Sequence, residues 1–316
     1  MSADKKCVLA VDIGGSKFIT GFLGADGEIL YSLRQEWRGL DRDSVIDRLT
    51  EAVRDTLASH PEFSPAAVGM TIPGIADPAA GIWVSSPLGE INDFAVCDHI
   101  GRVTGLPVYI ENDANACALA ELYFGTGKGC RNFLYMTVSS GVGGALILGG
   151  RLYSGASGGA GEIGVTVAVE NSSRRNSHGQ RGLLELYAST SGLRQNYLEC
   201  GGRPEINGAP PDGRSIAELA RGGDPAAERA FCLEGHYLGR AIAAANNLLD
   251  LERVVIGGGL SLAFDLYRDE LLRVLREEDH QNTPGFAVLP TMLGYEGAFV
   301  GAGTVALLGC KMLQGG

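Results

Sequence analysis

Two stretches of this chain place acids where chemistry could use them. In Val108 to Glu121, VYIENDANACALAE, an apolar run breaks at Glu111-Asn112-Asp113 and passes into alanine-rich sequence. Leu106 to Ile110 reads as a buried strand and Ala114 to Phe124 as a helix, so Asn112 and Asp113 fall at a strand-to-helix corner, where both residue types are favoured caps. A carboxylate there is either a cap or a general base, and the residues alone leave both readings open. The second stretch is Asp12-Ile13-Gly14-Gly15, where an apolar run ends in an acid followed by a glycine turn. Such a turn points backbone N–H groups at one spot with no Cβ in the way, which suits phosphate oxygens. Phosphates would repel Asp12 unless Mg²⁺ lay between them, so the expected ligand is a metal-bound nucleotide.

The elements that must carry these residues follow from periodicity. Cys7 to Ser32 is β-rich with turns at Gly14-Gly15 and Ala25-Asp26-Gly27, a three-strand meander. Asp43 to Ser59 has helical spacing, Ala67 to Ile72 reads as a strand, Ile75 to Asp93 as a loop and hairpin region, and Ala95 to Thr104 as a helix. Phe133 to Gly155 then repeats the N-terminal layout, with Ser139-Ser140-Gly141 in the place of the first turn, so an internal duplication is expected. Ala156 to Gly182 has little periodicity and reads as an extended loop, a kind that is often functional. Helices are expected over Leu183 to Tyr197, Ser215 to Ala220 and Pro225 to Leu249. Strand Arg253 to Ile256 leads into Gly257-Gly258-Gly259, a third close approach of backbone to ligand. A helix over Ala263 to Arg276, a strand over Phe286 to Pro290 and a helical tail from Gly297 complete the chain. Neither a Gly-x-Gly-x-x-Gly turn after the first strand nor a Walker pattern is present, and Gly15-Ser16-Lys17 is neither.

Composition narrows the classes. The 316 residues carry 45% hydrophobic and 20% charged side chains, enough for a sizeable folded core. A net charge of −11 argues against a nucleic-acid partner, since phosphate backbones need clustered Lys and Arg. Seven scattered cysteines without a Cys-x-x-Cys pair point to reduced thiols in a cytoplasmic protein. No apolar run approaches the ~20 residues of a membrane span. Glycine accounts for 47 residues, about twice its usual share of ~7%.

Together these residues resemble the ROK family of bacterial sugar kinases and sugar-responsive repressors, within the actin-like ATPase superfold. The likeness runs nearly end to end. It rests on Asp12-Ile13-Gly14-Gly15-Ser16-Lys17, Pro73-Gly74, Glu111-Asn112-Asp113-Ala114-Asn115 and Thr137-Val138-Ser139-Ser140-Gly141-Val142-Gly143-Gly144, followed by Gly161-Glu162-Ile163-Gly164, Leu184-Glu185 and Val254-Val255-Ile256-Gly257-Gly258-Gly259. The resemblance implies transfer of the γ-phosphoryl of ATP, with Mg²⁺, to a sugar hydroxyl, usually the 6-hydroxyl of a hexose or N-acylated hexosamine. Asp113 matches the general base. Gly74, Asn92, Asn112, Glu162 and Glu185 match sugar-site positions. Asp12, Gly14, Gly15, Ser16 and Lys17 match the first phosphate motif; Ser139, Ser140, Gly141 and Gly143 match the second; Gly258 and Gly259 match the adenosine motif.

Departures from the pattern carry information too. Val165 stands where the family commonly has His, and Asn176, His178 and Leu183 stand where it commonly has Cys. A structural zinc needs four N or S ligands, so no zinc is expected, and the 165–183 loop must be held by other contacts. The expected architecture is α/β with two lobes of the actin-like (ribonuclease H-like) type, each a mixed sheet flanked by helices. One lobe takes residues 1–121 plus about 301–316, and the other takes 122–300. Lobe closure would keep water from the phosphoryl group. Homodimerisation is implied by the family. Two alternatives are a non-catalytic sugar-sensing protein and a transcriptional repressor; repressor members add an N-terminal DNA-binding domain, for which the residues before Val8 leave no room.

Overall fold

An apolar run without helical period suits a strand covered on both faces, and Cys7–Ile13 (β1) is buried at every position. The computed structural model describes residues 6–15, 17–37, 41–86, 88–281 and 283–313. The chain divides into two compact units, Met1–Lys128 with Glu296–Gly316 and Gly129–Tyr295.

In the first unit β1 is followed by β2 (Lys17–Gly24), β3 (Ile29–Glu36), α1 (Arg42–Ser59) and β4 (Pro65–Ile72). A small antiparallel sheet of β5 (Ile75–Asp77), β6 (Ile82–Ser85) and β7 (Asn92–Phe94) comes next, then α2 (Val96–Thr104), β8 (Val108–Asn112) and α3 (Asp113–Phe124). The main sheet has the order β3-β2-β1-β4-β8; the first three strands are antiparallel, and β4 and β8 join in parallel. Asp41 caps α1 by accepting the Ser44 N–H at 2.8 Å. The core includes Leu9, Val11, Phe18, Phe22, Leu49 and Met70.

The second unit contains β9 (Phe133–Val138), β10 (Val142–Leu148), β11 (Arg151–Tyr153), α4 (Glu185–Ala188), α5 (Thr190–Glu199), α6 (Gly213–Arg221), α7 (Pro225–Leu249), β12 (Arg253–Gly257), α8 (Phe264–Glu278) and β13 (Ala287–Pro290). Its sheet order, β11-β10-β9-β12-β13, repeats the first: an antiparallel meander whose first strand is joined in parallel to a later strand, which is joined in parallel to a second. The expected duplication is therefore present as topology. Phe231, Leu238, Ile242, Tyr267 and Leu271 fill the layer formed by α7 and α8.

The last helix, α9 (Gly297–Gly309), belongs to the first unit, where Phe299, Val300, Ala302, Val305, Ala306 and Leu307 are buried. Among the described residues no helix is long and apolar enough to cross a membrane. Two expected elements differ. The strand before the polar corner runs to Asn112, because Glu111 and Asn112 continue the parallel ladder with Thr71 and Ile72. The expected helix over Leu183 to Tyr197 is broken at Ser189, whose extended backbone (φ −92°, ψ 172°) ends α4 and caps α5.

Candidate active site

β8 ends at Asn112 and α3 begins at Asp113, so the corner is one residue wide. Asn112 is the N-cap: its Oδ1 accepts the N–H groups of Ala114 (3.0 Å) and Asn115 (3.4 Å), and its Nδ2 donates to the Gly74 carbonyl at 3.1 Å. Asp113 Oδ1 accepts the Ala114 N–H at 2.8 Å. Burial pushes the Asp113 carboxyl above the usual carboxylate range, while the Ala114 N–H, its own N–H and the Asn112 side chain pull the other way. The residue as a whole is nonetheless exposed to solvent. Glu111, also shifted up by burial, braces the corner: its Oε1 accepts the Asn112 N–H (2.9 Å) and Asn115 Nδ2 (3.0 Å).

Two strands away, Asp12 sits near the end of β1, 8% exposed. Thr71 Oγ1 donates to Asp12 Oδ1 at 2.7 Å and accepts the Ile13 N–H at 3.1 Å. Asp12 is raised first by burial and then by the nearby charge of Asp113, against the lowering pull of Thr71 and Lys17. The two carboxylates therefore share one electrostatic environment. Gly14 N–H donates to the Lys17 carbonyl at 2.8 Å, closing the turn, and a side chain at Gly15 would meet only open space. Ser16 lies outside the described residues.

Gly74 has φ +94°, and a Cβ there would collide with the Ser85 carbonyl, so only glycine fits the bend from β4 into the small sheet. Ser85 pairs in turn with Asn92, an exposed residue whose Nδ2 donates to the Glu90 carbonyl at 2.9 Å. The first unit thus gathers Asp12, Asp113, Asn112 and Gly74 around the ends of β1, β4 and β8, with Asn92 on the neighbouring small sheet.

In the second unit Ser139 to Gly141 forms the β9–β10 turn, with Ser139 N–H on the Gly141 carbonyl (2.9 Å) and Gly143 paired with Thr137. A Cβ on Gly141 would lie 3.6 Å from Glu185 Oε2, which places that carboxylate at the turn. Thr190 N–H donates to the Ser139 carbonyl at 2.7 Å, so α5 starts on the same turn. Gly258, at φ +77°, passes so close to Val138 that a Cβ would approach its backbone to 2.5 Å. Gly259 lies beside Ser139. Glu162 precedes a 3-10 turn over Ile163–Val165, and the strip that follows reaches the Glu185 segment through Leu184 N–H on the Thr166 carbonyl at 2.9 Å. Val165 is exposed on that strip.

Side-chain contacts tie the 165–183 loop to α4 and α5. Arg174 Nη1 donates to the Leu186 carbonyl (2.9 Å), Nη2 pairs with Glu199 (2.7 Å), and the guanidinium lies 4.3 Å from the Tyr187 ring centre. Ser172 Oγ binds Tyr187 OH and receives the Arg174 N–H. Asn176 and Gln180 close the tip. His178 is exposed, with its N–H on Asn176 Oδ1. Among the described residues no group of three or more His, Cys, Asp or Glu could hold a metal ion. Thr71 and Arg174 are supporting residues that motif reading passes over, and Glu111 is one to which it gives no role. Thr71 reads as a strand former and Arg174 as loop charge, although Glu111 lies inside a quoted motif.

A model of the ROK family matches residues 8–307. Glucokinase from Thermotoga maritima is 32% identical over 270 residues, covering 82% of this chain and 84% of that protein. The structure of a ROK family glucokinase from Streptomyces griseus, in complex with glucose and AMPPNP, superposes with a TM-score of 0.80 at 28% identity, over 95% of this chain and 99% of that one. The structure of a ROK family transcriptional regulator, a homologue of the E. coli MLC protein, superposes with a TM-score of 0.87 at 25% identity, over 95% of this chain and 77% of that one.

Proposed function

The chain belongs to the ROK family, and on that premise we propose that it transfers the γ-phosphoryl of ATP to a hydroxyl of a hexose, an N-acylated hexosamine or a related polyol, with O6 the expected acceptor. It is a carbohydrate kinase. The observation that carries the assignment of the base is the α3 corner: Asp113 is fixed at a helix start, raised above ordinary carboxylate acidity by burial, and flanked by an Asn112 that is tied to Gly74. A base in phosphoryl transfer needs only to orient the attacking hydroxyl and accept its proton late, so modest basicity in a fixed position is sufficient.

Asn112, Glu162, Glu185, Gly74 and Asn92 are assigned to the sugar hydroxyls. Gly14, Gly15, Ser16 and Lys17 with Ser139, Ser140, Gly141 and Gly143 are assigned to the phosphates, and Gly258 and Gly259 to the adenosine. The residues at the first turn fit a metal-bound nucleotide: Asp12 Oδ1 accepts the Thr71 hydroxyl, no other protein donor reaches Asp12 among the described residues, and it stands beside the open Gly15 turn. Mg²⁺ arriving with ATP would be held on the Asp12 side and would neutralise β- and γ-phosphate charge. Val165 offers no hydrogen bond to a sugar, which shifts specificity away from ligands that need one there. The finer reading also includes a cytoplasmic homodimer without structural zinc, checked by light scattering and by elemental analysis of the purified protein.

A coupled ADP-release screen over hexoses, hexosamines, ketoses and cyclitols tests the activity. Turnover with a hexose or hexosamine is expected; no turnover with any of them overturns it. The likeness to a transcriptional regulator favours one other reading, a sugar-sensing protein. Calorimetry showing sugar binding without ATP binding would support that reading instead.

A further inference from the structure

A surface cavity of about 520 Å³ in the second unit is lined by Arg174, Arg175 and Arg194 and by no carboxylate. That is unusual in a chain of net charge −11. Ser191, Arg194, Gln195 and Leu198 form one wall, since spacings of three, four and seven place them on one face of α5. The 173–175 segment forms the other, held in place by the Arg174 contacts with Glu199, Tyr187 and the Leu186 carbonyl. Arg174 is thereby partly neutralised, but its neighbours are not. Among the described residues Arg194 makes no ion pair, and Arg175 gives one hydrogen bond, Nη1 to the Gly179 carbonyl at 2.9 Å. Two guanidinium forks with most of their donors unspent thus line the cavity, Arg194 from α5 itself and Arg175 from the opposite segment.

We propose that this cavity is a second anion site that takes a small phosphorylated compound. Guanidinium groups bind phosphoryl oxygens in pairs, and Leu186 and Leu198 offer apolar surface to the carbon part of a phosphate monoester. The volume lies within the roughly 300–1,000 Å³ common for small-molecule sites. The site is independent of the sugar-kinase reading, for none of its residues is assigned to that reaction.

The test is calorimetry with inorganic phosphate and with a hexose 6-phosphate, with AMPPNP present to fill the nucleotide site. Wild type is compared with an Arg175→Ala/Arg194→Ala variant whose fold is checked by circular dichroism. Salt-sensitive binding is expected in wild type, weakened about tenfold or more in the variant, with affinity for AMPPNP unchanged. Tighter binding of the monoester marks an organic phosphate as the occupant, and equal binding marks inorganic phosphate; both uphold the site. Equal binding in wild type and variant, or none in wild type, overturns it. Should AMPPNP fail to bind, the kinase reading fails, and the difference between wild type and variant still decides this one.

Discussion

Asp113 feels burial against hydrogen bonds, and burial wins. As a base it works ionised, so turnover should fall as pH drops through its raised pKa. The acid limb of the kcat/KM profile is expected to have its midpoint above the ~3.9 of a free Asp. Asp113→Asn should abolish turnover while calorimetric sugar binding persists within a few-fold; near-normal turnover would remove Asp113 from the role. Glu234 is a second residue with consequences. It is fully buried on α7, and neither carboxylate oxygen has a hydrogen-bond partner, so desolvation holds its carboxyl well above the usual range. The sign follows from linkage: the fold binds this proton more tightly than the unfolded chain. Its stability is fully present below the ordinary Glu value of ~4.3 and is lost as pH rises toward the raised folded value. Glu234→Met should therefore raise the melting temperature at pH 8, by about 2–4 °C per kcal/mol gained, and the gain should shrink toward pH 4. The polar corner at Asn112 and Asp113 is legible in sequence because it interrupts an apolar run. The isolation of Glu234 is not, because an acid in a long amphipathic helix reads as one more solvated residue.

At the scale of elements, local period and capping account for most of what can be read directly. The helix over Pro225–Leu249 has the expected bounds, since Asp224 and Pro225 start it and an apolar repeat runs to its end. The 165–183 loop has no period of either kind, and its order comes from side chains far apart in sequence, Arg174 with Glu199 above all. That pairing is invisible to spacing rules. Arg174→Met keeps much of the stem over Tyr187 but loses the charge-assisted bonds. It is expected to destabilise the second unit by about 2 kcal/mol and to speed amide exchange across 165–183, read by mass spectrometry. Unchanged exchange there would show that the Asn176–Gln180 tip suffices. The Ser189 break between α4 and α5 likewise has no composition signal: it serves two contacts, the Gly192 cap and the Thr190 N–H on Ser139.

For the whole molecule, the two sheets of identical order each carry their own apolar core. The repeat is legible because strand, polar turn and strand recur with the same layout. The allegiance of α9 to the first lobe is expected from the family resemblance and not from its own residues, since a uniformly apolar helix shows no face to sequence reading. Ending the chain after Gly294 should leave the second unit folded and unfold the first. Limited proteolysis should then spare residues 129–294 and digest the region before them. The same placement sets a timetable for synthesis. The second unit is continuous in sequence and is complete when its last strand leaves the ribosome. The first unit, begun earlier, waits for residues 297–309 to cover α3 and the face of β1 and β4. A nascent chain of this protein therefore carries an exposed apolar seam until residues 297–309 have emerged, and that interval is when a chaperone would be needed.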